Sequence, residues 1–241
     1  RSQSQNVVAQ GGGTLQEFNI FALDYEEDRH YFLAQYFRDN YDKFLKNYPY
    51  INSPIQITRI EIWITNRGSQ TQNIRNVVGF QDLAESDPNK TTLDDKITNF
   101  FTGKSLTSPP SNENNRLDPE SIGRGGVMSN DVRDIASIAR SFGANSNAIN
   151  EGFDYAVLES ARKLNSNEYK LHPQLGYISL NQRLSNDEVL AVAFQYTYRG
   201  KVYQVGEFAN GSIESTSVTQ NPEGGTQAVN NNSLVVKLLK S

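Results

Sequence analysis

The chain has 241 residues and a net charge of −4, and it contains no cysteine. Nucleic acids and anionic membranes are bound through clustered Lys and Arg, and no such run occurs, so neither is expected as the main partner. Without cysteine, disulfides and thiolate metal sites are excluded. The longest apolar run is only a few residues, which predicts neither a transmembrane helix nor a signal peptide.

Both ends of the sequence suggest a piece of a longer polypeptide. The only methionine is Met128, so Arg1 is not a translation start. The chain also stops inside the apolar run 234–239, which has the pattern of a strand. A mature secreted protein from which a signal peptide has been removed is the alternative explanation.

The first fifty residues predict a strand followed by one long helix. Residues 1–13 end in three glycines and are expected to be flexible, and residues 14–23 alternate as in a strand. An acidic cluster at 24–28 then precedes large apolar residues at helical spacing. This pattern predicts a helix over about 27–47 that is ended by Pro49.

Residues 55–65 have the clearest strand pattern in the chain. Its apolar residues change register near Thr58-Arg59, which predicts a bulge there. A turn signal at 66–69 follows, so residues 74–80 are expected to form the hairpin partner of this strand.

The central third predicts a long loop and two short helices. Residues 103–130 are rich in Pro, Asn and Gly and indicate the loop. Apolar residues then recur at helical spacing over 132–142, where Gly143 suits the end of a helix, and again over 153–164.

The last third is predicted to be β-structure, with a strand near 175–180 and a final one at 234–239. Between them, strands at 190–198 and 201–208 are joined by a tight turn at Arg199-Gly200.

These elements predict an α+β fold, in which antiparallel sheet carries one long N-terminal helix and a central pair of helices. We expect the flexible segment 1–13 to be followed by a single domain over 14–241. Its long loops are expected near 103–130 and 209–232.

Motifs for catalysis are missing from the sequence. It has neither a Gly-x-Ser-x-Gly elbow nor a cysteine, and a triad would have to use His30 or His172, the only two histidines. Isolated histidines of this kind are usually structural or solvated. The glycines at 123–126 lack the preceding strand and the following Lys-Ser or Lys-Thr of a phosphate loop. We therefore expect no enzyme, no cofactor and no metal.

The acidic cluster is the main polar feature and has three interpretations. Asp24, Glu26 and Asp28 could bind Ca²⁺, although the Gly and final Glu of an EF-hand loop are missing. Two of Asp24, Glu26, Glu27 and Glu61 could form the acid–base pair of a glycoside hydrolase. The interpretation we favour is that the acids stabilise the amino end of the predicted helix.

Aromatic side chains are densest between residues 31 and 50 and occupy more than one face of the predicted helix. Aromatic residues at helical spacing usually belong to a core, but those left over suit an interface with a protein or a sugar. The candidate interaction surface consists of Tyr31, Tyr36, Tyr41, Tyr48 and Tyr50.

Four strings of residues resemble the SprA/Sov family of bacterial secretion proteins. They are DYEEDRHYFLAQYFRDNY at 24–41, ITRIEIWITN at 57–66, HPQLGYISLN at 172–181 and VGEF at 205–208. The resemblance covers about 15–240, nearly the whole chain. It brings no catalytic residues with it.

The resemblance implies a role in type IX secretion and gliding motility. Proteins of this family are very large outer-membrane barrels of diderm bacteria, through which folded cargo leaves the periplasm. The chain is then expected to be a non-catalytic, water-facing insertion between barrel strands, in an extracellular cap or else in the periplasm.

The implied partners are other parts of the parent barrel, together with secreted cargo or accessory secretion proteins. Neither nucleic acid nor a membrane span within this piece is expected. The alternative function is a carbohydrate- or protein-binding module of a cell-surface protein.

Overall fold

The computed structural model describes residues 5–11, 14–20, 27–68, 70–103, 108–219 and 228–241. This part of the chain contains one α-helix, α1 (Gln35–Leu45), thirteen β-strands and several short 3₁₀ helices. The strands are β1 (Gln5–Gly11), β2 (Thr14–Ile20), β3 (His30–Phe32), β4 (Ile55–Ile64), β5 (Ile74–Phe80), β6 (Tyr155–Lys163), β7 (Tyr169–His172), β8 (Tyr177–Leu180), β9 (Leu190–Tyr198), β10 (Lys201–Val205), β11 (Thr216–Thr219), β12 (Ala228–Asn231) and β13 (Leu234–Lys240).

Five strands close into a barrel in the order β4, β9, β13, β5, β6 and back to β4. All neighbours are antiparallel except β13 and β5, which are parallel. Along β9, residues 190–192 pair with β13 and residues 194–198 pair with β10, so β10 extends the barrel wall as a hairpin. The predicted pairing of β5 with β4 is wrong, because β6 and β13 occupy the two edges of β5.

The hydrophobic core lies on both faces of the barrel wall, because side chains of a strand alternate between its faces. Val192 and Phe194 of β9 join a large cluster that also receives α1. Ala191 and Ala193 join a smaller cluster around Trp63. Since both faces are covered, the first five residues of β9 are all buried.

The predicted bulge in β4 is confirmed. Its pairing with β9 shifts register between Ile57 and Arg59. Ile57 is buried before the shift, and Ile62 and Ile64 are buried after it. An extra residue in one strand reverses the alternation, which is why apolar residues of opposite register all reach the core.

The predicted long helix over 27–47 is wrong in its first part. Residues 30–32 form β3, which pairs with β8, and the Leu33 N–H continues the ladder with a 2.9 Å bond to the Gly176 carbonyl. Cross-strand bonds thus satisfy the backbone that a longer helix would use, and α1 begins only at Gln35. Strands β3, β8 and β7 form a separate three-stranded sheet beside the barrel.

The predicted central pair of helices is wrong as well. Residues 155–163 form strand β6, paired with β5, and the region before it contains only short 3₁₀ helices at Asn130–Arg133 and Ile138–Asn145. The pairing of β6 shifts register opposite Arg75 and Val77. That irregularity leaves Leu158 and Ala161 buried three positions apart, which imitates the spacing of a helix.

The fold of the described residues is therefore a β-barrel with one short helix, and the predicted α+β class is wrong. No helix in these ranges is both long and apolar enough to cross a membrane.

Further short elements lie outside the barrel. Strands β1 and β2 form one hairpin, and β11 and β12 form another inside the predicted loop 209–232. The predicted loop 103–130 contains 3₁₀ helices at Asn112–Asn114 and Pro119–Ser121. Predictions for residues 1–4, 12–13, 21–26, 69, 104–107 and 220–227 fall outside the described residues. The division into a flexible segment and one domain stays a prediction.

Candidate functional site

The five predicted tyrosines separate into an exposed pair and a half-buried group. Tyr48 and Tyr50 are each 79% exposed. Tyr31, Tyr36 and Tyr41 are half-buried and pack against the large hydrophobic cluster. Only the exposed pair is therefore fully available to a partner.

A compact turn after α1 holds the exposed pair. The Tyr48 N–H donates to the Leu45 carbonyl at 2.9 Å, and the Tyr50 N–H donates to the Asn47 carbonyl at 3.0 Å. The next residue, Ile51, is 37% exposed. The backbone is thus bonded internally while the side chains face solvent. We call Tyr48, Tyr50 and Ile51 the aromatic loop.

The two histidines, far apart in sequence, meet at Ser179. The Nδ1 atom of His30 lies 2.8 Å from Ser179 Oγ, and Nε2 of His172 lies 3.2 Å from the same oxygen. A hydroxyl can donate to one imidazole and accept from another. Because His30, Ser179 and His172 belong to β3, β8 and β7, these contacts connect all three strands of the small sheet.

The surroundings of His172 favour its neutral form. Its ring stacks on Tyr177 with centroids 4.0 Å apart. Burial, followed by the charges of Lys170 and His30, lowers the pKa of His172 below its usual value.

The acidic cluster does not begin the helix. Asp24 and Glu26 lie outside the described residues, while Glu27 and Asp28 precede β3 and face Arg183 at 3.2 and 3.6 Å. The first helical N–H, that of Gln35, instead donates to a carboxylate oxygen from a distant turn, as described below. The predicted capping role of Glu27 and Asp28 is therefore wrong.

Glu61, the remaining candidate acid, is buried and bonds β4 to the segment after β10. It is 7% exposed, and its Oε2 accepts a 2.8 Å bond from the Ala209 N–H. Its Oε1 lies 3.4 Å from Arg59 and 3.8 Å from Lys163. Across the ranges that the structure describes, no group of three metal-binding His, Asp or Glu side chains occurs.

A second buried acid, Asp82, organises the turn after β5. Its Oδ2 accepts the N–H groups of Thr92 and Leu93 at 2.7 and 2.8 Å. Burial raises the pKa of Asp82, and these backbone bonds oppose that effect. Asn115 donates to the carbonyls of Asp82 and Glu85, which joins a further loop to the same turn.

Among the described residues, the most deeply buried ion pair joins Lys237 to Glu85, and sequence reasoning missed it. Lys237 Nζ donates to Glu85 Oε1 at 2.6 Å and to the Gln81 carbonyl at 2.5 Å, and both charged side chains are about 5% exposed. The same Oε1 accepts the Gln35 N–H at 3.2 Å. One carboxylate therefore connects β13, α1 and the turn after β5. A lysine inside the apolar run 234–239 is the only signal of this in the sequence.

A cleft of about 620 Å³ opens beside this ion pair. Its walls are β3, the start of α1, the turn after β5 and the end of β13. Arg38, Lys90 and Lys240 line it, together with the buried acids Asp82 and Glu85. We call this space the β13 cleft.

Comparison with family models identifies the chain. The model SprA_N, described as motility related/secretion protein, matches residues 1–204. The chain belongs to the SprA family. The SprA/Sov family resemblance is thereby confirmed, and this SprA-family chain is a motility- and secretion-related protein. Secretion is a process of the cell envelope. No curated protein matched the chain.

Proposed function

We propose that this SprA-family chain is a non-catalytic domain of an outer-membrane translocon for type IX secretion, which also supports gliding motility. Its family membership over 1–204 supports a role in motility and secretion. The observation that carries an interaction role is the aromatic loop, in which Tyr48 and Tyr50 are 79% exposed.

The bonding of the charged groups supports a structural and interaction role over catalysis. Asp82, Glu61 and Glu85 accept bonds from the backbone that join separate elements. A general acid or base must instead reach the proton of a substrate. The Ser179–histidine contacts likewise connect strands of one small sheet.

In this proposal, the aromatic loop contacts another part of the parent barrel, an accessory secretion protein or the exported cargo. Exposed tyrosines supply large contact areas and are enriched among residues that dominate binding energy. The domain faces water on the extracellular side as part of a cap. The polar composition and net charge of −4 agree with such a position.

The test is a double substitution, Tyr48→Ser with Tyr50→Ser, in the full-length parent protein. Phe153→Ser is the matched control, because Phe153 is also 79% exposed but lies outside the aromatic loop. We expect the double substitution to weaken the contact roughly tenfold or more and to reduce secretion of a reporter cargo and spreading of the cells. The Phe153 control and the abundance of the parent should be unchanged.

Two results would contradict the proposal. Secretion at the normal rate after deletion of the whole domain would remove any role in export. Equal secretion by the double substitution and the wild type would remove the role of the aromatic loop.

The two exposed tyrosines also favour a second function, a carbohydrate-binding module, because aromatic rings serve as platforms for sugars. A glycan array with the purified chain would show binding that Tyr48→Ser removes. Silence of the array for the wild-type chain would exclude this function for the glycans presented.

A further inference from the structure

We propose that the β13 cleft binds an extended peptide segment that carries carboxylates and adds to the edge of β13. This inference goes beyond the proposed function and does not depend on it. It rests on an open strand edge and on the charges around it.

The open edge arises because β5 ends before β13 does. The parallel pairing of the two strands runs from Leu234↔Val77 to Lys237↔Phe80. The chain then turns away after Phe80, while β13 continues to Lys240 and pairs with β9 on its other edge. Residues 238–240 line the β13 cleft. A strand edge of this kind offers N–H and C=O groups to an added strand.

Basic side chains surround this edge. Arg38 is exposed on α1, and the part of the chain described by the structure gives it no acidic partner. Lys240 Nζ donates to the carbonyls of Ser185, Asn186 and Glu188 at 2.9 to 3.1 Å, so all three of its N–H groups are in use. Lys90 pairs with the exposed Asp39. The guanidinium of Arg38 is therefore the group that can bind a ligand, and Lys240 contributes only its charge.

The two acids that line the cleft are already bonded within the protein. Asp82 is 1% and Glu85 is 5% exposed, and both are engaged by backbone N–H groups or by Lys237. The amino end of α1, where the helix dipole is positive, opens beside Arg38. A positive cleft in a chain of net charge −4 matches a ligand of opposite sign.

The dimensions of the cleft suit a short segment. Three residues of open edge span about 10 Å in an extended strand. The volume of about 620 Å³ is of the size that binds small ligands and short peptides. Arg38 can bind a carboxylate through two parallel N–H bonds, which fixes orientation as well as charge.

Fluorescence anisotropy with the complete chain tests the proposal. The probe is a labelled peptide that alternates Val and Asp, and the control peptide carries Asn in place of Asp. We expect the Asp peptide to bind about tenfold more tightly at low salt and to lose affinity as salt rises. A third peptide, N-methylated at alternate residues, lacks the donors for strand addition and should not bind.

Substitutions in the chain locate the site. Arg38→Gln should weaken binding of the Asp peptide by roughly three- to tenfold. Lys201→Gln removes an exposed lysine from β10 and should have no effect. Circular dichroism spectra that match the wild type show that each variant is folded.

Three results would overturn the proposal. The first is absence of binding, or equal binding of the Asn peptide. The second is undiminished binding after Arg38→Gln. The third is displacement of the peptide by succinate at the affinity of the peptide itself, which would make the cleft a site for small anions and not for a strand.

Discussion

At the scale of single residues, the carboxylate of Glu85 joins three parts of the fold. It accepts bonds from Lys237 of β13 and from the first N–H of α1, and both charged side chains of the ion pair are shielded from water. Removal of one partner from a buried ion pair leaves the other charge without compensation, which costs far more than the loss of an exposed pair.

Glu85→Gln should therefore lower the free energy of unfolding by about 3–5 kcal/mol. Glu27→Gln is the matched control, because the pair of Glu27 with Arg183 is more than half exposed and should contribute about 1 kcal/mol or less. Urea unfolding of both variants measures the difference. Equal losses would show that burial of the Glu85 pair has no energetic consequence.

The histidine pair predicts a pH dependence. The pKa of His172 is lowered in the folded chain, so the folded state favours neutral imidazole. The stability from this preference is complete above the unfolded pKa of about 6.5 and is lost as pH falls through the lower folded pKa. His172→Gln should make the unfolding free energy fall less steeply as the pH drops below about 6.5. An unchanged slope against pH would contradict this assignment.

At the scale of elements, local sequence predicted the strands well where the pattern and the turn chemistry agreed. The hairpin of β9 and β10 is confirmed, with Arg199 and Gly200 at φ of 48° and 79°, as its tight turn requires. The bulge in β4 was predicted because the apolar residues of this strand change register. The helix predictions failed where pairing with distant strands overrode local spacing, as in β3 and β6.

The close contact of α1 with the small sheet depends on Gly176. Its φ is 68°, and a Cβ atom there would lie 2.2 Å from the ring of Phe37. Gly200 also has a positive φ, but a Cβ atom there would meet nothing within 4 Å. Comparison of the two glycines therefore separates steric overlap from backbone strain.

Gly176→Ala should be less stable than Gly200→Ala by roughly 1–3 kcal/mol, because only the first variant forces Phe37 to move. Thermal and urea unfolding of both variants measure this difference. Equal losses of unfolding free energy in the two variants would mean that backbone strain alone accounts for both losses. In that case Phe37 and α1 would move aside without cost.

At the scale of the whole molecule, the barrel and the β13 cleft depend on contacts between distant parts of the chain. Lys237 and Glu85 are 152 positions apart, and β13 is inserted between β5 and β9. Single-sequence patterns carry no information on such pairings. The sequence did not distinguish the exposed Tyr48 and Tyr50 from the three half-buried tyrosines of the same candidate surface, and Arg38 and Lys240 carry no local signal of a cleft.

Photo-crosslinking tests the central claim most directly, namely that the aromatic loop contacts another component of the secretion apparatus. A photoreactive phenylalanine is placed at Tyr48 in the full-length parent protein in living cells, and at Phe153 as the control. We expect a discrete crosslinked product from position 48 alone, formed with another part of the parent or with a second protein. Equal yields at the two positions, or no product at position 48, would contradict the account.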